Sequence, residues 1–428
     1  MLIPALVLRR LKASLSSGTG VWSVADQGVV SLGNFLLGFS LARLLPPEQY
    51  GIFAVLFSLM ILLNLMHAAL VVYPLSLDGA ARMKRGIGTL AGAYMANTLL
   101  CVTLASGLTS ALCLHLRRSD LLLPVFVALV MWQIQETVRR ALLAQMRFRA
   151  ALPADAISYL GQSGCVWALW RTQHLTVASV YWIVAATSAL AWAIQAMQLG
   201  LKLPSRSELQ AAIYGAWSLG LWAMLTNAVS SLCSVPYFVW MIGVLGHPTE
   251  AGALQAVSNL LGVTHPILFG FSNLLIPVVA REHCLHGLPS AFRAALRCGG
   301  QFALLLCPYL LLTAIAPHRL LAFLYGHKSP YLAFAALVPW LAVAYAFNFS
   351  GQILGGYLRA VQKIKTDFAA SVACACVSLG MYVSLQSKYP LTAAVVAMLT
   401  GSSIRAFLLY LACRRMLRVA RTVEVSPI

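Results

Sequence analysis

Residues 49–73 read QYGIFAVLFSLMILLNLMHAALVVY, a run of 25 residues without a single Asp, Glu, Lys or Arg. An apolar helix of about 20 residues crosses the ~30 Å hydrocarbon core of a bilayer. Similar runs recur along the chain of 428 residues, of which 60% are hydrophobic. Only 10% are charged, against roughly 25% in an ordinary soluble domain. The sequence therefore predicts a protein that crosses the membrane many times, and it excludes a water-soluble globular protein.

The apolar runs predict an all-α polytopic membrane protein with twelve transmembrane helices. Residues 1–16 come before them and place Arg9, Arg10 and Lys12 beside Leu and Val, which favours an amphipathic helix at the membrane surface over a cleaved signal peptide. The predicted helices cover approximately 18–45, 49–73, 86–114, 120–144, 152–171, 176–199, 211–243, 249–279, 294–317, 330–357, 367–386 and 390–413.

The distribution of Lys and Arg predicts the orientation of these helices. If both termini are cytoplasmic, 22 of the 30 basic residues fall on the cytoplasmic side, 7 on the opposite side, and Arg405 lies within the twelfth helix. Cytoplasmic loops carry such an excess of Lys and Arg in membrane proteins. The formal charge of +19 is therefore explained by topology, and we expect no nucleic-acid partner. The predicted location is the bacterial inner membrane, with both termini in the cytoplasm.

The loops and motifs argue against an enzyme. No polar stretch exceeds about fifteen residues, too few for a soluble catalytic domain, and no GxxxxGK[ST] phosphate-binding loop is present. The ten cysteines are scattered without a CxxC pair. Glu282, His283, Cys284 and His286 lie together in a basic loop, where interfacial charge explains them better than a metal. We predict no metal and no cofactor.

An internal repeat divides the chain into two halves, 1–200 and 201–428, with six predicted helices in each. ARLLPPEQYGIFAV (42–55) aligns with GVLGHPTEAGALQA (243–256) at an offset of 201 residues, with Pro47 on Pro248. LAQMRFR (143–149) aligns with RAVQKIK (359–365) at an offset of 216. Both halves then have the same orientation in the membrane. Parallel repeats of this kind are a transporter architecture, with the substrate path between the halves.

The residues resemble a known family. GVWSVADQGVVSLGNFLLGFSLARLLPPEQYGIFAV (20–55) resembles the first helix and turn of bacterial polysaccharide flippases of the multidrug/oligosaccharidyl-lipid/polysaccharide exporter superfamily. QETVRRALLAQMRFR (135–149) and GGYLRAVQKIK (355–365) are similar to the basic ends of that family's fourth and tenth helices. Lipid II flippases commonly carry two further helices, for which this chain has no sequence left.

That resemblance implies two lobes in a V around a central cavity. It also implies transport of undecaprenyl-diphosphate-linked oligosaccharide from the cytoplasmic to the periplasmic leaflet during polysaccharide and lipopolysaccharide (O-antigen) synthesis. The expected partners are this substrate, the membrane lipids, and the polysaccharide polymerase and export machinery.

A diphosphate that crosses the bilayer needs cations in its cavity, and arginine binds phosphate in a bidentate manner. The candidate residues are Arg43, Arg139, Arg140 and Arg405. Arg405 lies about halfway along the twelfth predicted helix, where an uncompensated cation costs at least ~2.5–3.5 kcal/mol. It therefore faces either a cavity or a carboxylate such as Asp26 or Glu136. For Arg139 and Arg140 the alternative is an interfacial, positive-inside role.

Four polar residues complete the candidate site. Asn348 and Gln352 lie in an otherwise apolar helix, where they bind sugar hydroxyls or hold neighbouring helices together. Asp26, in the first predicted helix, is a candidate for coupling transport to a cation, or else it stabilises a helix start. Glu136 is a second coupling candidate, but it precedes Arg139 and Arg140 by one turn and so fits an intrahelical pair.

Three functions remain open at this point. The first is the flippase just described. The second is a cation-coupled multidrug exporter of the same superfamily, in which acidic groups line the cavity; against it, the predicted membrane segments hold few acids. The third is a membrane glycosyl- or acyltransferase, which needs clustered Asp, Glu or His at one membrane face.

Overall fold

The computed structural model describes residues 19–82 and 87–424, and all regular elements in these two ranges are helical. Residues 1–16, for which a surface helix is predicted, lie outside them, and so do Lys84 and Arg85, two of the 22 basic residues that were counted on the cytoplasmic side. The first ten α-helices are α1 (Thr19–Leu44), α2 (Pro47–His67), α3 (Tyr73–Arg82), α4 (Ile87–His115), α5 (Leu122–Ala144), α6 (Phe148–Asp155), α7 (Gly161–Arg171), α8 (Val177–Leu199), α9 (Arg206–Gly215) and α10 (Leu221–Ser231).

Seven α-helices follow, and short segments of other helix types join several of the seventeen. The later helices are α11 (Val235–Val244), α12 (Pro248–Gly262), α13 (His265–Ile315), α14 (Pro317–Tyr325), α15 (Val338–Ala360), α16 (Ile364–Leu385) and α17 (Pro390–Glu424). Three segments are π-helical, namely Ala68–Val72, Ala156–Leu160 and Ala216–Gly220, and two are 3₁₀ helices, Ser119–Leu121 and Pro330–Leu337. Gly287, with φ of 75°, breaks α13 into two helices.

Nine helices of the described ranges are long and apolar enough to cross a membrane, and α10 with α11, bent by 70°, forms a tenth candidate span. Eleven of the twelve predicted helices overlap one of these ten candidate spans. Two of them, 249–279 and 294–317, overlap the broken helix α13, which counts as one span. The predicted fifth helix corresponds to α6, α7 and the π-helical residues between them.

The helices form two compact units, one that ends at Ala228 and one that begins at Val229. Residues 206–220 belong to the first unit because they contact its helices. Glu208 of α9 accepts a hydrogen bond from Thr89 of α4 at 2.7 Å. Gly220 lies so close to the 68–72 segment that a Cβ atom would be 2.8 Å from the carbonyl oxygen of Ala69. The division of the repeat at residues 200 and 201 stays a prediction.

The two turns aligned at the offset of 216 residues have the same local structure. Helix α5 ends at Ala144 and α6 begins at Phe148, while α15 ends at Ala360 and α16 begins at Ile364. Met146 and Gln362 take φ of 61° and 63°, a left-handed conformation that non-glycine residues adopt at a cost of roughly 1–2 kcal/mol. In both turns the next residue donates a hydrogen bond to the carbonyl five positions back, as in a Schellman cap.

A buried core in the first unit fixes the orientation of α5. Val138 and Leu142 of α5 pack with Leu90 and Tyr94 of α4 and with Leu75 of α3. Helix α5 also packs along α8. Residue 139, next to Val138 in the chain, therefore lies on a different face of the same buried helix.

Candidate functional site

Arg139 is the centre of a buried ion-pair cluster in the first unit. Its side chain is only 4% exposed, and it donates hydrogen bonds to carboxylates of three helices. Nη2 lies 2.7 Å from Asp26 Oδ2 in α1, Nε lies 2.8 Å from Asp155 Oδ2 in α6, and Nη1 lies 3.3 Å from Glu136 Oε2 in α5. Arg139 therefore ties α1 and α6 to α5.

Two further side chains complete this arrangement. Glu136 accepts a second bond, 2.5 Å long, from Nε of Arg140. Asp155 accepts a bond from the Gln195 amide of α8 at 2.9 Å. We call Asp26, Glu136, Arg139, Arg140 and Asp155 the first-unit cluster. When all five groups are ionised, its three carboxylates face two guanidinium groups, so the cluster carries one excess negative charge.

Local backbone features bring α1 and α6 together. The π-helical segment 156–160 begins directly after Asp155, and π-helical turns often occur at functional sites. Gly33 of α1 is buried against this segment, where a Cβ atom would lie 2.6 Å from the Tyr159 carbonyl carbon. The absence of a side chain at position 33 thus permits the close approach that lets Asp26 reach Arg139.

A second polar group lies beside the cluster. Nε2 of buried His67 is 3.1 Å from the Thr98 hydroxyl and 3.0 Å from the Thr137 hydroxyl, and these hydroxyls are 2.7 Å apart. Thr137 follows Glu136 in α5, and His67 precedes the π-helical segment 68–72. Buried polar groups therefore extend from α1 and α6 across α5 to α2 and α4.

The second unit contains a smaller cluster with the opposite charge. Nη2 of Arg405 in α17 lies 2.8 Å from Asp367 Oδ1 in α16, and Nη1 of Arg359 in α15 lies 2.8 Å from Oδ2 of the same carboxylate. Nε of Arg405 donates to the Ser371 hydroxyl at 3.3 Å. We call Arg359, Asp367 and Arg405 the second-unit cluster. Two guanidinium groups face one carboxylate here, so the excess charge is positive.

Arg405 also lines a cavity of about 250 Å³ in the second unit. Glycines of α15 make room for its guanidinium group: a Cβ atom on Gly351 would be 3.1 Å from Nη1, and one on Gly355 would be 3.1 Å from Nη2. Besides Arg405 and Gly351, the lining residues are Ser230, Cys233, Ser234, Phe347, Asn348, Ser371, Cys374 and Ser402.

The internal repeat relates parts of the two clusters. At the offset of 216 residues, Arg139 corresponds to Gly355 and Asp155 corresponds to Ser371. In the first unit, the guanidinium group of Arg139 contacts Asp155. In the second unit, the guanidinium group near Gly355 and Ser371 comes from Arg405 of α17, because the position aligned with Arg139 is a glycine. The two units thus surround an arginine with similar positions and opposite charge balance.

The structure brings most of the candidate residues into one of these two clusters. Arg139, Arg140, Asp26 and Glu136 meet in the first unit, and the pairing of Glu136 with both arginines is the intrahelical alternative raised above. Arg405 meets a carboxylate and a cavity at once. Its partner is Asp367, so the suggested pairing with Asp26 or Glu136 was wrong: those two carboxylates are held by Arg139 in the other unit.

The remaining candidates are more peripheral. Asn348 lines the cavity beside Arg405, and it accepts a bond of 3.4 Å from Gln352, which also contacts Ser272. Gln352 is not among the lining residues. Arg43 is exposed in the last turn of α1.

Sequence reasoning missed the two aspartates that hold the arginines. Asp155 and Asp367 each follow a basic turn and stand at the start of a predicted membrane helix. The available signal was a single carboxylate near the start of an apolar segment that follows a helix with an arginine near its end.

Comparisons with known proteins give the fold. No protein-family model matches the chain, and no curated protein sequence matches it. Among solved structures, the inward-facing conformation of a multidrug resistance MATE family transporter of the MOP superfamily aligns with a TM-score of 0.70 and 14% identity, over 94% of this chain and 100% of that one. The eukaryotic MATE transporter AtDTX14 aligns with a TM-score of 0.67 and 14% identity, over 97% of this chain and 99% of that one.

The outward-facing conformation of a multidrug resistance MATE family transporter has a lower TM-score, 0.58, at 13% identity. The chain is therefore an all-α, multi-pass membrane protein with the fold of the MATE transporters, which confirms the predicted fold class. At 13–14% identity this likeness shows the fold alone, and both the superfamily and its polysaccharide-flippase branch stay predictions from the sequence.

Proposed function

We propose that this chain is a secondary transporter that exports an organic solute in exchange for a cation, and that the first-unit cluster is the coupling site. The convergence of three carboxylates on two arginines in that buried cluster is the observation that carries the proposal. The sequence argued against this function because its membrane segments hold few acids. In the structure, however, three carboxylates converge around one arginine, and the MATE fold supports the same function.

The physical chemistry of the cluster suits a small cation. An unbalanced charge inside a membrane is costly, and a proton or a metal ion that neutralises it is stabilised there. Oδ1 of Asp26 is buried and accepts no hydrogen bond from the described residues. That oxygen is available to take a proton or to contact Na⁺, since carboxylate oxygens are ligands that hard cations prefer. Binding of the cation to Asp26 would then weaken the ion pair between Arg139 and Asp26 of α1.

Replacing Asp26 by asparagine tests the coupling. The new amide keeps an oxygen that can accept a hydrogen bond from Arg139, so we expect the variant to fold. The cluster becomes neutral, however, and no longer attracts a cation. Ethidium efflux from proteoliposomes, driven by an imposed proton or sodium gradient, should fall at least about tenfold, as expected for loss of ~1.4 kcal/mol of cation stabilisation.

Asp120→Asn is the matched control, because Asp120 pairs with Arg118 in an exposed 3₁₀ segment with its side chain 54% exposed. It removes the same charge outside the cluster and should leave efflux unchanged. Gradient-driven efflux at the wild-type rate in Asp26→Asn would contradict the coupling role.

A second candidate is the flippase for lipid-linked oligosaccharide, and the excess positive charge of the second-unit cluster favours it. Under this proposal the chain lies in the inner membrane with both termini cytoplasmic and works beside the polysaccharide polymerase and export machinery. Expression in a strain that lacks its polysaccharide flippase, but keeps the glycan-synthesis genes, should then restore surface polysaccharide. Ethidium resistance without any polysaccharide would decide for the exporter.

A further inference from the structure

Two cysteines far apart in the sequence meet in the second unit. Sγ of Cys374 in α16 donates a weak hydrogen bond to Sγ of Cys233 at 3.2 Å, although 141 positions separate the two residues. Both side chains are free thiols, and both line the cavity of about 250 Å³ beside Arg405. A disulfide joins its two sulfur atoms at about 2.05 Å, so a small movement of either side chain brings these thiols to bonding distance.

The tight turn between α10 and α11 fixes the position of Cys233. Residues 232–234 separate the two helices, which are bent by 70° at this break. The Ser234 side chain donates a hydrogen bond to the Ser231 carbonyl at 2.6 Å and accepts one from the backbone N–H of Tyr237 at 3.4 Å. Ser234 therefore caps the start of α11, and Cys233 lies between two hydrogen-bonded residues.

Packing of α16 against its neighbours fixes the position of Cys374. Its side chain is buried, and a Cβ atom on Gly401 of α17 would lie 3.2 Å from its sulfur. The lack of a side chain at position 401 thus leaves room for this thiol. Phe238 of α11 and Tyr382 of α16 are also buried, with ring centroids 5.2 Å apart. Helices α11 and α16 are therefore packed together, and this contact holds the two thiols close to each other.

The cavity gives a small molecule access to this pair. Cys233 is partly exposed, whereas Cys374 is buried, so Cys233 is the thiol that an incoming reagent meets first. A cavity of about 250 Å³ admits a molecule as small as hydrogen peroxide and excludes a protein oxidant. Arg405 lines the same cavity, and its positive charge compensates the negative charge of an attacking sulfur.

Two thiols and hydrogen peroxide give a disulfide in a balanced reaction. Sγ of Cys233 attacks one peroxide oxygen, the O–O bond breaks, and the products are a sulfenic acid on Cys233 and one water. Sγ of Cys374 then attacks the sulfur of that sulfenic acid. The S–S bond forms as the S–O bond breaks, and the hydroxyl group leaves with the Cys374 proton as a second water. The two sulfurs lose two electrons, which reduce the two peroxide oxygens.

We propose that Cys233 and Cys374 are a redox-sensitive dithiol, which hydrogen peroxide converts to a disulfide that ties the turn at residues 232–234 to α16. Formation of the bond depends on the second unit alone. Its effect on transport rests on the proposed function: hinges of moving proteins lie at element ends such as this turn, and a covalent bond to α16 prevents movement there. Oxidation therefore arrests transport, and a reducing dithiol restores it by exchange.

Mass spectrometry of the purified full-length protein in phosphatidylcholine nanodiscs tests the bond. After treatment with hydrogen peroxide, N-ethylmaleimide blocks the remaining thiols, and digestion without reductant should give a joined pair of peptides that contain Cys233 and Cys374. Dithiothreitol should separate them. Cys376→Ser is the matched control, because Cys376 is exposed two positions after Cys374 in the same helix, and this variant should form the same disulfide. Cys233→Ser should form none.

Ethidium efflux from proteoliposomes tests the consequence, with each protein compared before and after peroxide. Efflux by the wild type and by Cys376→Ser should fall in proportion to the fraction of protein that carries the disulfide, and it should recover with dithiothreitol. Efflux by Cys233→Ser and by Cys374→Ser should not respond to peroxide, since neither variant can form the bond.

Three results would overturn the proposal: no joined peptides in the wild type, joined peptides that vanish in Cys376→Ser, or the same loss of efflux in Cys233→Ser as in the wild type. Unchanged efflux in a wild-type protein that is mostly oxidised would overturn the arrest of transport. If the reduced protein moves no ethidium, the proposed function fails instead. Slower amide hydrogen exchange at residues 232–234 after oxidation would then still show that the disulfide restrains the turn.

Discussion

Replacing Arg139 by alanine should destabilise the protein by about 3–5 kcal/mol, the usual result of removing one partner from a buried ion pair. Asp26, Glu136 and Asp155 would lose the guanidinium group that compensates them, although Glu136 would retain Arg140. Thermal unfolding of the detergent-solubilised protein measures the effect. We expect a strongly lowered Tm or loss of the folded protein.

Arg140→Ala is the matched control, since it removes the adjacent arginine of the same helix. The Arg140 side chain is 43% exposed, and Glu136 keeps its contact with Arg139 in that variant. Exposed pairs contribute only about 0–1 kcal/mol, so the Tm should change little. Equal losses in Arg139→Ala and Arg140→Ala would contradict the central position of Arg139.

A combined variant separates charge from packing. Asp26→Asn and Asp155→Asn, added to Arg139→Leu, remove the two carboxylates that Arg139 reaches on other helices. Replacing all members of a buried ionic group by neutral ones is often neutral or stabilising. We therefore expect the triple variant to regain much of the Tm that the single variant loses, while its cation-driven transport stays absent.

The fold was predictable because it depends on features that a sequence shows directly. The apolar runs gave the helices, and the match of residues 143–149 with 359–365 predicted two turns that the structure shows to be alike. Both features are local: hydropathy sets where a helix lies, and a handful of residues sets how it ends. No knowledge of helix packing was needed for either.

The ion pairs were harder to predict because they depend on how helices pack. Asp26 and Arg139 are 113 positions apart, and their contact requires the close approach of α1 to residue 159. Arg139 and Arg140 look identical in the sequence, as two basic residues near the end of a helix. Only the packing of α5 turns Arg139 inward to three carboxylates and leaves Arg140 half exposed.

The same limit affected the choice of function. Counting acids along the sequence gave few, and this count argued against a cation-coupled exporter. The property that matters is the local concentration of carboxylates, since charges within ~4–6 Å of one another shift each other's ionisation and affinity for cations. Asp155, which completes the first-unit cluster, stands 16 positions after Arg139 in another helix.

Replacing Gly33 by alanine should destabilise the protein and abolish transport together. The new Cβ atom would lie 2.6 Å from the Tyr159 carbonyl carbon and 2.7 Å from its oxygen, whereas carbon atoms in contact prefer about 3.5–4.0 Å. Because these are backbone atoms, helix α1 must move away. Overpacking of this kind typically costs about 1–3 kcal/mol, which a thermal unfolding curve resolves.

Gly28→Ala is the matched control, because Gly28 lies in the same helix and a Cβ atom there would meet nothing within 4 Å. Alanine is favoured over glycine in a helix by roughly 0.8–1.0 kcal/mol, so Gly28→Ala should keep or raise the Tm. Asp26 lies seven residues before Gly33, two turns along the same face of α1. A shift of α1 at Gly33 therefore moves Asp26 from Arg139, and ethidium efflux should fall with the Tm. If Gly33→Ala unfolds and transports like Gly28→Ala, the close approach of α1 to residue 159 does not hold the cluster together.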